Sequence, residues 1–214
     1  MVNHEVDMFR SQSLDEFLTE LSSRNPTPGG GSAAGLAAAM GAALVEMVAN
    51  VVSARDDGER VRLARFVGQC EASRAKFAEM MDEDSMAFEG YMAAVKLPKT
   101  TDDEKLARRA VMQDALRGST TVPLALAVRV CDFAELLAAT FSDAPKDIAS
   151  DLYVGAAMLE AAFAGAIANV YVNLAYLRDP VFKNETRVTV QQCQARFAEL
   201  GSFKDSIGRL LAIA

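Results

Sequence analysis

Apolar residues return every three or four positions along most of this chain, the rhythm of helices that bury one face. After Ser13, a good N-cap, Leu14-Asp15-Glu16-Phe17-Leu18 opens a short helix that ends near Arg24-Asn25-Pro26. A second helix is expected from about Ser32 to Ala54, closed by Asp56-Asp57-Gly58. A third, from about Glu59 to Val95, carries Leu63, Phe66, Val67, Cys70, Phe77, Met80, Met81 and Phe88 on the helical rhythm. Leu97-Pro98-Lys99-Thr100-Thr101 breaks the pattern, Thr101 or Asp102 caps a fourth helix, and Gly118-Ser119-Thr120-Thr121 breaks it again before Pro123. Further helices are expected from about Val122 to Thr140, from Pro145 or Asp147 to Leu177, and from Glu185 to Ile213. Val170-Tyr171-Val172 has strand propensity, but too little of the chain shares it to build a sheet. The pattern predicts an all-α fold, a bundle of long helices forming one domain over residues 1–214.

Two stretches, 29–45 and 161–177, carry no charge at all. The first is mostly Ala and Gly and stops at Glu46; the second holds Asn169 and Asn173 and follows Glu160, so both read as buried helices rather than membrane spans. Helices that are apolar nearly all round must be covered on every side. A bundle of this size surrounds one such helix but not two, so part of this surface is expected to meet another copy, giving a homodimer or a larger even homo-oligomer.

Composition narrows the partners. A net charge of −7 without a concentrated basic run argues against nucleic acid. Cys70, Cys131 and Cys193 lie far apart within helical patterns, which fits neither a disulfide framework nor a Cys-x-x-Cys metal site. No metal is expected, and the cytoplasm is the expected location; residues 1–10 carry no signal-peptide core. His4, the single histidine, lies near the start, so Ser-His-Asp and Cys-His chemistry is not available to the body of the protein. Acid–base work falls to carboxylates, lysines or tyrosines whose pKa burial moves.

The most informative segment is Pro26-Thr27-Pro28-Gly29-Gly30-Gly31-Ser32 leading into the Ala/Gly helix. Gly29-Gly30-Gly31-Ser32-Ala33-Ala34 formally fits G-x-G-x-x-A, but no strand precedes it, and no lysine follows as a P-loop requires. Glycines before a helix leave backbone N–H groups free at the positive pole of the dipole, where an anion or carbonyl can sit. A turn capped near Ser32 explains the same residues without a ligand. Gly31, Gly35 and Gly41 also allow another helix to approach closely. Asp84 sits one turn before Phe88, yet also within an acidic run, Asp82-Glu83-Asp84, that reads as a solvated face. Lys96 and Lys99 flank Leu97-Pro98 at a helix C-terminus, where cations suit the dipole and could equally hold a carboxylate ligand. Asp151 suits the first turn of its helix, and five turns, ~27 Å, separate it from Asn169. Asn169 and Asn173, one turn apart, need partners once buried: neighbouring backbone or a heteroaromatic ligand.

These segments together resemble the cyclodeaminase/cyclohydrolase family of folate enzymes. Pro26–Ser32, Met40-Gly41-Ala42-Ala43-Leu44, Asp84-x-x-Ala87-Phe88, Leu97-Pro98-Lys99, Ser150-Asp151 and Asn169-Val170-Tyr171-Val172-Asn173-Leu174 look like its motifs, in its order and spacing. The resemblance implies an all-helical dimer whose substrate is a tetrahydrofolate one-carbon derivative, with no separate cofactor. It implies that Asp84 and the Leu97-Pro98-Lys99 turn lie near the folate, with Gly29, Gly30, Gly31, Ser32, Asn169 and Asn173 shaping the pocket. Phe88, Lys96, Pro98 and Asp151 complete the substrate-binding set it implies. Asp84 then serves as base, and Lys99 polarises the leaving oxygen or nitrogen or holds the substrate's glutamate. A chain without a transferase domain resembles the cyclohydrolases more than the cyclodeaminases. Formiminotetrahydrofolate cyclodeamination is the alternative, and a non-catalytic folate-binding module a second.

Overall fold

Four of the six α-helices begin where a side chain satisfies free N–H groups of the first turn. The computed structural model describes residues 8–142 and 145–212. It contains α1 (Leu14–Leu21), α2 (Gly30–Ser53), α3 (Asp57–Val95), α4 (Asp102–Thr140), α5 (Ala149–Tyr176) and α6 (Pro180–Leu210), with 3-10 turns at Phe9–Ser11 and Lys146–Ile148. Ser13 and Thr101 form capping boxes with Glu16 and Glu104, and Asp56 accepts from the Glu59 amide. Helices α2 and α5 have no side-chain cap: α5 continues from the 3-10 turn at Lys146–Ile148, whereas the N-cap of α2 is Gly29. His4 lies outside the described residues.

Helix α2 runs through the middle of the bundle, packed against α3 and α5; α4 bridges those two, and α6 closes against α4 and α5. Its backbone meets that of α5 at Gly41, where a Cβ would stand 2.9 Å from the Gly155 carbonyl oxygen. One hydrophobic cluster joins the five long helices, with Val45, Leu63, Phe77, Val130, Leu159 and Val190 among its members. Each such side chain removed from water contributes about 1.5–3 kcal/mol, so packing rather than helix propensity holds the bundle. Helix α2 and residues 146–176 are long and apolar enough to cross a membrane, yet both pack as central helices here. Cys70, Cys131 and Cys193 are buried free thiols.

Two expectations are corrected. The break at Gly118–Thr121 does not occur, because α4 runs unbroken from Asp102 through Pro123 to Thr140. Pro123 has no N–H to give the Ser119 carbonyl. Asn173 Nδ2 of α5 donates to that oxygen instead, at 2.7 Å, while Thr120 and Thr121 hydroxyls donate to the Leu116 and Arg117 carbonyls one turn back. The last helix starts at Pro180 rather than Glu185, because Asp179 accepts from the Val181 and Phe182 amides and Pro180 fits the first turn.

Candidate active site

The uncapped start of α2 is filled from within the chain. Gly31 has no Cβ, and the Asp84 carboxylate of α3 occupies the space one would take: a Cβ there would stand 2.0 Å from Oδ1. The expectation of an anion at this helix terminus is met by the protein's own side chain, placed at the positive end of the dipole. Ser32 backs the same carboxylate, with Oγ 3.5 Å from Oδ2, 3.0 Å from the Met81 carbonyl oxygen and 2.9 Å from Ser85 Oγ. Burial pushes the Asp84 carboxyl above its ordinary value, and the Ser32 amide and hydroxyl pull against that rise. No cation lies within ion-pair distance of Asp84 among the described residues.

In front of the carboxylate lies a cavity of about 170 Å³. Gly29, Gly30 and Gly31 form one wall, Asp84 and Phe88 another, and Asn169, Val172 and Asn173 of α5 a third, with Pro26, Thr27 and Ser119 at its edges. The Thr27–Pro28 peptide is cis, and the Thr27 hydroxyl donates to Glu89 at 3.5 Å. Asn169 donates through Nδ2 to the Gly165 carbonyl of its own helix at 2.8 Å, so its Oδ1 is free to accept. Asn173 donates through Nδ2 to the Ser119 carbonyl, a neighbouring backbone partner, and still lines the cavity. Asp84 is the ionisable side chain of this cavity.

The remaining candidates fall elsewhere in the chain. Ser32 is completely buried, so it meets Asp84 and not a ligand. Lys96, Pro98 and Lys99 follow the end of α3 and do not line the cavity; eleven residues of helix, ~16 Å, carry them past Asp84. Asp151 sits in the first turn of α5, at the end of that helix opposite Asn169. The acidic run is not a solvated face: Asp82 is 5% exposed with Arg10 Nε 3.4 Å away, and Glu83 binds Lys76. Ser119 and Val172 were not singled out from sequence; the signal for Ser119 was a proline four residues on, whose missing amide frees its carbonyl. A larger hollow of about 410 Å³ between α3 and α4 has Lys76 and Asp132 at its rim, already paired with Glu83 and Arg196. Among the described residues no three His, Cys, Asp or Glu side chains gather as metal ligands would.

An all-α bundle whose central helix starts on a half-buried carboxylate, facing a cavity walled by glycines and amides, is a helical carboxylate-site protein. Comparison then gives its family. The formiminotransferase-cyclodeaminase family model matches residues 13–192. The chain is 37% identical over 206 residues to a methenyltetrahydrofolate cyclohydrolase of Methylorubrum extorquens, covering 94% of this chain and 96% of that one. It is 39% identical over 176 residues to the formimidoyltransferase-cyclodeaminase of Sus scrofa, covering 81% of this chain but 32% of that protein, so it spans about a third of that relative's length. Among solved structures, the formiminotetrahydrofolate cyclodeaminase of Thermotoga maritima superposes with a TM-score of 0.78 at 28% identity, covering 94% of this chain and 96% of its own. This chain belongs to the formiminotransferase-cyclodeaminase family, as its motifs lead one to expect.

Proposed function

We propose that this protein hydrolyses 5,10-methenyltetrahydrofolate to 10-formyltetrahydrofolate, with Asp84 as general base. The observation that carries the reading is a partly buried carboxylate that has no counter-ion among the described residues, at the floor of a cavity. Its support is a likeness to a cyclohydrolase over nearly the full length of both chains. Water adds to the cationic methenyl carbon between N5 and N10, and Asp84 takes one water proton as the C–O bond forms. The same proton passes to N5 as the C–N5 bond of the carbinolamine breaks, and the hydroxyl proton leaves to solvent. While ionised, Asp84 also stabilises the neighbouring cation. The glycine wall and the Asn169 acceptor hold the reacting end of the substrate, and no separate cofactor enters.

The likeness to a solved cyclodeaminase supports a second reading, in which N10 attacks a formimino carbon and ammonia leaves. Purified protein given 5,10-methenyltetrahydrofolate is expected to accelerate the loss of its absorbance. A methenyl absorbance that rises from the formimino compound, without that acceleration, would replace the first reading with the second. Silence in both assays would leave a folate-binding module.

A cavity of about 170 Å³ is smaller than the ~300–1,000 Å³ of pockets that enclose a drug-sized ligand. Its outer wall, Val172, is 61% exposed, and α5 continues that face with an uncharged exposed stripe: Val154, Ala161, Ala164, Ala168, Tyr171 and Ala175. Helix α2 adds exposed Met40, Met47 and Val51. We propose that a second copy covers these stripes, so that the working unit is a homodimer, and that Lys96 and Lys99, at the tip between α3 and α4, serve the anionic end of a neighbour's substrate. Sedimentation of the protein at micromolar concentration is expected to give a dimer or a higher even oligomer, and a monomer would remove this assembly. Three free thiols suit a reducing compartment such as the cytoplasm.

A further inference from the structure

The hydroxyl behind Asp84 has more acceptors than protons. Ser32 Oγ can donate to the Met81 carbonyl at 3.0 Å or to Asp84 Oδ2 at 3.5 Å, but a hydroxyl has one hydrogen. Either hydroxyl of the Ser32–Ser85 pair, 2.9 Å apart, can donate; with Ser85 as donor, the Ser32 hydrogen is left to choose between the other two. The choice costs little on the Met81 side. Residues 81 and 85 lie within α3, so the Met81 carbonyl keeps its helical bond from the Ser85 amide whichever way Ser32 turns. On the Asp84 side the choice follows charge, because an ionised carboxylate only accepts and binds a donor more strongly than a neutral one.

We infer that Ser32, held by Ser85, is a rotating donor that turns to Asp84 when the carboxylate is charged and to the Met81 carbonyl when it is neutral. It is a positioning residue: buried on every side, it reaches the reaction only through Asp84. The inference rests on the reading of Asp84 as base, and it explains how a carboxylate at the cavity floor can gain and lose a proton without water entering behind it. Beside the fixed Ser32 amide, no titratable or charged side chain among the described residues answers that charge. Facing Asp84, α2 presents Gly30, Gly31 and Ser32, α4 presents Ser119, and α5 presents Asn169 and Asn173, none of which titrates. On α3 itself, Asp82 faces Arg10, Glu83 is paired with Lys76, and Glu89 accepts from Thr27. The Ser32 hydroxyl already counts among the groups that hold the Asp84 carboxyl down against burial.

The test follows the Asp84 side-chain carbon by carbon-13 NMR through a pH titration, beside the pH profile of kcat/KM. In Ser32→Ala the charged form keeps the backbone amide and loses its hydroxyl donor, so the Asp84 titration is expected to move up by about one pH unit, with the acidic limb of the profile moving in step and KM unchanged. Ser85→Ala is expected to move both the same way by less, and it carries the measurement if Ser32→Ala does not fold. A titration that stays in place in the folded variants overturns the inference, whatever happens to the rate. Full activity in Asp84→Asn overturns the base instead, and the carbon titration then still decides whether the hydroxyl follows the charge.

Discussion

Asp84→Asn is expected to lower kcat by about 10²–10⁴-fold while the protein stays folded, because the amide keeps the shape of the carboxylate and cannot take a proton from water. Loss of methenyl absorbance under saturating substrate measures it, and a variant that retains the wild-type rate would remove Asp84 from the chemistry. Burial raises the Asp84 carboxyl in the folded protein, so in the wild type the base is competent above that raised value and activity fades as pH falls through it. Stability runs the opposite way. A carboxyl raised on folding contributes stability that is fully present below its unfolded value and is lost as pH rises through the folded one. The asparagine carries no such penalty, so the variant is expected to melt at or above the wild-type temperature at neutral pH, with the difference shrinking in acid.

Gly31→Ala is expected to abolish as much activity as the loss of the base itself. In an ordinary helix position the change would favour the fold by about 0.5–1 kcal/mol. Here the new methyl would stand 2.0 Å from Asp84 Oδ1 and 2.4 Å from Oδ2, so either the carboxylate leaves the start of α2 or the helix shifts. A misplacement of about 1 Å already costs about 10²-fold in rate, and both routes move the base further than that. The neighbouring change separates this from a general effect on the glycine turn. A Cβ at Gly30 meets Asn169 Nδ2 at 3.5 Å, an ordinary contact, so Gly30→Ala is expected to keep most of kcat. Equal kcat values for the two variants would show that Asp84 does not depend on the space Gly31 leaves open.

The helical rhythm is local, and local signals placed most of the bundle. Starts marked by Ser13 and Thr101 lie at the expected positions because each cap satisfies amides within three residues of itself. What failed was non-local. Pro123 reads as the start of a helix because the group that lets a helix pass through it, Asn173, lies 54 residues beyond the carbonyl it satisfies. The same limit explains the site. Three glycines before a helix signal a place for an anion, but nothing within that segment says that the anion is Asp84, which arrives from α3. Lys99 shows the converse: its motif lies close to Asp84 in sequence, and the straight course of α3 carries it away.

The absent hydrogen on Pro123 also yokes two positions in heredity. An ordinary residue there would return the Ser119 carbonyl to its own helix and strand the amide of Asn173 beside the cavity, while a lineage that first loses Asn173 would be left with an orphaned oxygen under α4. Either change alone is a step downhill, so descendants of this chain are expected to keep both residues or to exchange them together.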